Sequence, residues 1–197
     1  MSHLHLDHLD VPSLVRLGKR TRLVVPAGAA PLLRRRGFTR IDEVRPGDSV
    51  TAGSVRITAT PARHSGFRPP IGPTCPPLGF VLAGSRRVYF AGDTDLFPEM
   101  SEVARDLDLA LLPVWGWGRV LGPGHLDPER AAEALRILQP ALAIPIHWGT
   151  FAARGVRRRD PSFLVDPPRQ FAERAALLAP NVVVRVLQPG ECTSIAV

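Results

Sequence analysis

Cysteine is nearly missing from this chain: Cys75 and Cys192 are the only two in 197 residues. They are too few and too scattered for a disulfide framework or a thiolate zinc site, so both are expected as ordinary thiols. Lysine is scarcer still. Lys19 stands alone among 25 lysine-plus-arginine residues, so arginine carries the formal charge of +7. The runs Arg34-Arg35-Arg36 and Arg157-Arg158-Arg159 are short, and neither is interleaved with aromatics as a single-strand binding surface would be. They read as solvated faces. Nucleic acid is therefore not an expected partner, although a phosphate-bearing substrate is compatible with them. No apolar run approaches the roughly 18–20 residues that span a bilayer. Met1-Ser2-His3 is not a charged-then-apolar leader either, so a cytoplasmic location without a transmembrane segment is expected. Nor does any serine or cysteine sit in a recognisable nucleophile elbow. What remains is 45% hydrophobic, enough to bury a core, with one domain expected over residues 1–197. The composition is silent on oligomeric state.

Histidine is what the chain concentrates. Three of six histidines fall within "MSHLHLDHLD" at the very start. An expression tag would be a run of His without interleaved Leu and Asp. In an extended or tightly looped segment, His3 and His5 point the same way, whereas the adjacent Asp7 and His8 diverge. One short loop can thus offer two imidazoles to one ion, and a carboxylate plus an imidazole to a second.

Short strands and helices alternate along the rest. A helical turn is predicted at Ser13–Leu17, closed by Gly18, then a strand at Arg22–Val25 and a small helix opened by Pro31 that Gly37 can end. "VRPGDSV" is a turn and "SVRITAT" a half-buried strand. "GFVLAGSRRVYFAGD" reads as a hairpin about Gly84-Ser85. "LALLPV" and "ALAIPI" are continuous apolar runs of the fully buried kind. Between these two runs, Asp127 caps a helix with Pro128 in first position, and Ala131, Leu135 and Leu138 share its face. Asp166 and Pro167 repeat that start, and "NVVVRVL" is a last strand. Strands with helices packed on them predict an α/β sandwich.

His64 follows "TATPAR", Asp93 follows "VYFAG" and His147 follows "LAIPI". Each stands just past a strand, where loops from one sheet edge converge. With the N-terminal cluster they divide between two metals: His3, His5 and His64 for one, Asp7, His8 and His147 for the other, with Asp93 bridging. Nitrogen and oxygen donors without thiolate suit zinc, manganese or iron, and the ligand set alone does not choose among them.

The segments "SHLHLDHLD", "ARHSG", "FAGDTDLF", "GPGHLDPERAAEAL" and "PIHWGTF" resemble, in order, the motifs of the metallo-β-lactamase superfamily. "DHLD", "HLDPE" and "HWGTF" are most similar to the branch of N-acyl-phosphatidylethanolamine-hydrolysing phospholipase D and ascorbate-6-phosphate lactonase-like proteins. The resemblance implies a four-layered αββα fold with a binuclear site, two divalent ions with Zn²⁺ first and Mn²⁺ or Fe²⁺ as alternatives. It assigns His3, His5, Asp7, His8, His64, Asp93 and His147 as ligands. It also implies that His125 of "HLDPE" lies in the active site, where it stabilises the transition state or protonates the leaving group; Asp7 is grouped with it as catalytic. The alternative for His125 is a helix-start residue held by Asp127.

The implied reaction is hydrolysis by water activated between two cations. Its substrate would be a phosphodiester of a small molecule or a lipid-derived ester, or a phosphorylated sugar lactone. Family members carry strands ahead of the His-rich motif, where this chain has Met1 and Ser2. An N-terminally truncated form of the fold is therefore expected, with an apolar sheet face or edge exposed and a ligand loop free to fray. A truncated, non-catalytic basic binding protein is the reading from a different class. Asp95 and Asp10 read equally as partners of a ligand or as turn residues. Trp115 and Trp117 read as pocket walls or packing, and Thr150 and Phe151 as structural.

Overall fold

The computed structural model describes residues 1–103, 105–116, 121–152 and 162–195. In chain order the elements are α1 (Val11–Leu17), β1 (Leu23–Pro26), α2 (Ala30–Arg34), β2 (Ile41–Val44), β3 (Ser49–Ala52), β4 (Val55–Pro61), β5 (Leu78–Ala83), β6 (Arg87–Phe90), α3 (Met100–Val103), β7 (Leu109–Pro113), α4 (Pro128–Leu138), β8 (Leu142–Ile146), α5 (Ser162–Val165), α6 (Pro167–Leu178) and β9 (Val183–Val184). Strands β3 to β9 form a seven-stranded sheet in sequence order, while β1 and β2 pair parallel in a separate small sheet. Strands β3 to β6 are an antiparallel meander, and β6 to β9 run parallel. Each parallel step crosses over through helix.

Period-two alternation decides which face each strand residue serves. In β7, Ala110 and Leu112 join the buried cluster under α4 and α6, with Ala131, Leu135, Leu138, Phe171 and Ala175. Leu109 and Leu111 point to the other face, with Val88, Leu142 and Ile144. Both faces thus carry apolar side chains, as the unbroken "LALLPV" run requires. The helix-covered face is closed. On the opposite face an apolar groove of about 610 Å³ remains between β1 and strands β4 to β7, lined in part by Val24, Ile57, Phe80, Leu82, Phe90 and Leu111.

Local sequence signals explain most boundaries. Asp10 caps α1, its carboxylate accepting from the Ser13 amide at 3.0 Å. Asp127 caps α4 in the same way through the Arg130 amide at 2.8 Å, with Pro128 in the first turn. Asp166 does not cap α6: its backbone is itself helical, so its side chain accepts no capping bond. The last strand is confined to Val183–Val184, and the four-residue β2 forms where no strand was predicted. Trp117 and Arg157-Arg158-Arg159 lie outside the described residues. Cys75 is buried and Cys192 exposed, both as free thiols. Among the described residues, no helix is long and apolar enough to cross a membrane.

Candidate metal centre

The N-terminal loop is a single tight turn. The amides of His8 and Leu9 both donate to the His5 carbonyl, at 3.1 and 2.8 Å. The leucines between its polar residues explain why it holds. Leu4 and Leu9 are fully buried in a cluster with Leu14, Val25, Leu33 and Phe38, each worth about 1.5–3 kcal/mol of apolar burial. Arg68 Nη1 donates to the carbonyls of Leu4 and Leu9, at 2.7 and 3.1 Å, and so spans the loop. At its front, Ser2 O accepts from the Leu78 amide at 2.8 Å, and the Met1 ammonium donates to Val24 O at 2.9 Å. The loop expected to fray is therefore fixed at both ends, by leucine burial and by bonds to two sheets.

The remaining donors come from strand ends. Strands β4, β6 and β8 point the same way, so His64, Asp93 and His147 emerge at one edge. Backbone geometry at this edge is unusual. His147 has φ +61°, in the left-handed region that non-glycine residues seldom adopt. Gly92, at φ +64°, is required by contact as well: a Cβ there would lie 2.6 Å from Leu78 O and 2.8 Å from Ser2 Cβ. The Asp93 turn thus presses directly on the N-terminal loop.

All seven candidate ligands converge. Asp93 Oδ2 lies 3.2 Å from His8 Nε2, 3.5 Å from His147 Nε2, 3.8 Å from His64 Nε2 and 3.9 Å from His3 Nε2. Asp7 Oδ2 lies 3.6 Å from His147 Nε2 and 3.7 Å from His8 Nε2. Donor atoms of His3, His5 and His64 lie within 4.8 Å of one another, as do those of Asp7, His8 and His147. The same spacing also groups His3, His8 and Asp93, and His64, Asp93 and His125.

The outer ring nitrogens are spoken for. His64 Nδ1 donates to Gly124 O and His147 Nδ1 to Trp115 O, both at 2.6 Å. Ser2 Oγ lies 3.1 Å from His3 Nδ1 and 3.2 Å from His8 Nδ1. In a neutral ring, a donating Nδ1 leaves Nε2 as a lone pair. Yet His8 Nε2 and His147 Nε2 are 3.2 Å apart, and His64 Nε2 and His5 Nδ1 are 3.1 Å apart. His3 Nε2 and Asp93 Oδ1 are buried without any hydrogen-bond partner. Buried polar atoms left without a partner are costly. Divalent cations would satisfy both atoms, and the donor set fits such ions.

The electrostatics agree. Burial pushes the His3 imidazole down to about 2, helped by the neighbouring His8. Burial also lowers His5 and His64. Burial alone would raise the Asp93 carboxyl, but the His8 hydrogen bond and the charge of His147 outweigh it and hold it well below the usual carboxylate range. His147 shows the opposite balance: burial lowers it, but Asp7 and Asp93 prevail and raise it to about 9. The pocket therefore favours positive charge beside its two carboxylates.

His125 sits at the rim. Its ring is 4.6 Å from that of His64, edge to face, and its Nδ1 donates to Gly122 O at 3.1 Å. Beside Asp7, His8 and His147 opens a cleft of about 150 Å³ lined by Gly116, Trp148, Thr150 and Phe151. Thr150 and Phe151, read from sequence as structural, thus border the cleft. Trp115 contributes through its backbone carbonyl, and its indole N–H is buried without a partner. Sequence reasoning missed Ser2, Arg68 and the carbonyls of Trp115 and Gly124, since a carbonyl leaves no trace in residue identity.

Comparison with known proteins places this geometry. A family model described as a beta-lactamase superfamily domain matches residues 1–148. The chain belongs to the metallo-β-lactamase superfamily. A "UPF0173 metal-dependent hydrolase" of Opitutus terrae is 39% identical over 96% of this chain and 78% of its own length. One from Deinococcus radiodurans is 34% identical over 99% of this chain and 78% of its own. Among solved structures, the metallo hydrolase Igni18 of Ignicoccus hospitalis superposes with TM-score 0.75 at 28% identity, covering 97% of this chain and 76% of that one. The α/β fold read from the sequence is that of the superfamily, and β1 and β2 form a small sheet apart from the seven-stranded one.

Proposed function

We propose that the protein is a metal-dependent hydrolase with a binuclear site, contained in one domain, that cleaves a phosphodiester. His3, His5 and His64 would hold one ion, Asp7, His8 and His147 the other, with Asp93 between them. The observation that carries this reading is the convergence of seven His and Asp side chains around two buried atoms without a partner, His3 Nε2 and Asp93 Oδ1. A pair of divalent cations, zinc first and manganese or iron as alternatives, would supply hydroxide at neutral pH and a positive field for the developing anion.

The chain's own groups do the rest. The carbonyls of Gly124 and Trp115 fix the orientation of His64 and His147. Asp7 lines the cleft, where it would hold metal and face substrate. His125, held by Gly122 O through Nδ1–H, turns its other ring nitrogen to the rim; in the doubly protonated form it would pass the Nε2 proton to the leaving oxygen and revert to the neutral ring. The cleft of about 150 Å³ suits a phosphate-sized head, with the remainder of a small-molecule or lipid-derived ester extending past Phe151.

The phospholipase D-like branch is favoured by "HLDPE" and "HWGTF", and a phosphorylated lactone is the alternative substrate. A cytoplasmic location completes the proposal. The test is elemental analysis together with turnover of bis(p-nitrophenyl) phosphate and of a phosphorylated lactone. Two bound ions with phosphodiester cleavage support the reading. Ring opening without phosphodiester cleavage moves it to the lactonase, and absence of metal after reconstitution removes it.

A further inference from the structure

Asp95 stands two residues beyond Asp93, and its carboxylate gathers three segments. Oδ1 accepts from the Leu96 amide at 2.8 Å, within its own turn. The same oxygen accepts from Arg130 Nε at 2.7 Å and pairs with the Arg130 Nη2 amine, a two-pronged contact to the first turn of α4. Oδ2 accepts from the Gly124 amide at 3.4 Å. The Asp95 amide in turn donates to Arg63 O at 3.0 Å, next to His64.

Gly124 is the pivot. Its carbonyl takes the His64 Nδ1 proton at 2.6 Å, and the next residue is His125. A Cβ at Gly124, which has φ +86°, would sit 3.2 Å from His64 Cα and 3.3 Å from His64 Nδ1, so the turn lies flat against that histidine. A planar guanidinium gripping a carboxylate from two nitrogens fixes angle as well as distance.

From this geometry we infer that Asp95 and Arg130 are positioning residues that hold the Gly122–His125 turn on His64. They thereby set the orientation of His125 and the His3/His5/His64 side of the centre, and leave the Asp7/His8/His147 side untouched. The inference rests on the binuclear reading above only for its consequence on metal.

The test uses the full chain as wild type, Asp95→Ala, Arg130→Ala, the double variant and Arg130→Lys. In metal-free protein, nitrogen–proton correlation spectra of the histidine rings are expected to shift for His64 and His125 in both single alanine variants, with His8 and His147 unmoved. In zinc titrations, one ion is expected to bind about 10–100-fold more weakly, the usual effect of losing a group that orients a ligand, while the other keeps its affinity. The double variant should be no worse than Asp95→Ala, because the pair acts as one unit. Arg130→Lys should restore part of the loss. Unchanged His64 and His125 signals, movement of all rings together, or simple addition of the two single effects would overturn the inference. Arg130 has a side chain 45% exposed, so its variants report even if Asp95→Ala does not fold. A wild type that takes up fewer than two ions would sink the binuclear reading instead, since the ring signals are recorded without metal.

Discussion

The two halves of the candidate centre are built on different principles. His3, His5, Asp7 and His8 are neighbours in sequence and lie on one turn without strand pairing of their own. His64, Asp93 and His147 are far apart in sequence and meet only because β4, β6 and β8 end at the same edge. The first half depends on added anchors, namely the buried Leu4 and Leu9 and the Arg68 guanidinium. The second inherits its rigidity from the sheet, and its cost appears as backbone strain at His147. One half is held by side chains and the other by topology.

Asp93 is proposed to serve both ions, so Asp93→Asn should produce the largest effect. Both ions are expected to be lost together, and turnover should drop beyond the roughly 10⁴-fold upper end for a single acid–base group. Elemental analysis showing one ion retained would break the bridging role. His125→Ala comes next: both ions retained and the rate lower by about 10²–10⁴-fold. Paired metal content and steady-state kinetics check it, and loss of metal would turn His125 into a ligand.

The third outcome sharpens the contrast between the halves. Leu9→Ala and Leu135→Ala each remove a fully buried side chain, and each should cost about 2–5 kcal/mol in chemical denaturation. Only Leu9→Ala is expected to weaken metal binding as well, because Leu135 lies under the helix-covered face. Equal metal affinities in the two variants would erase the distinction.

The smallest effect concerns pH in chelated protein. His147, raised to about 9 from 6.5, stabilises the fold fully below pH 6.5 and loses that contribution as pH rises through about 9. His3, lowered from 6.5 to about 2, acts in the opposite sense and costs stability as pH falls below 6.5, joined by His5 and His64. The lowered Asp7 and Asp93 also withdraw stability on the acid side. The melting temperature of metal-free protein should therefore peak near pH 6.5, with the alkaline decline missing once metal is bound. A monotonic profile without metal would contradict these environments.

Much of the centre was legible because its donors are side chains in a recognisable order. "SHLHLDHLD" announces itself, and His64, Asp93 and His147 each follow an apolar run that ends as a strand should. The Asp127–Pro128 helix start was equally visible. Harder to see was whatever depends on backbone conformation. Asp166 and Asp127 look alike in sequence, yet only Asp127 has the extended backbone a cap requires. The carbonyls that orient His64 and His147 come from Gly124 and Trp115, residues whose identity says nothing of that service. Arg68 reads as one more surface arginine until its carbonyl partners are seen.

Ser2 carries a consequence of its own. Its single hydroxyl touches the Nδ1 atoms of both His3 and His8, which the proposed partition assigns to different ions. For both rings to turn a lone pair inward, both Nδ1 atoms must carry hydrogen, and one oxygen must accept from the two at once while sending its own proton elsewhere. If either ring adopts the other tautomer, the hydroxyl must rotate to donate, and its relation to the second ring changes too. The two proposed ion sites would thus be linked by a proton-ordering constraint outside the cluster, so that the state of one imidazole is legible to the other without any direct contact between ions.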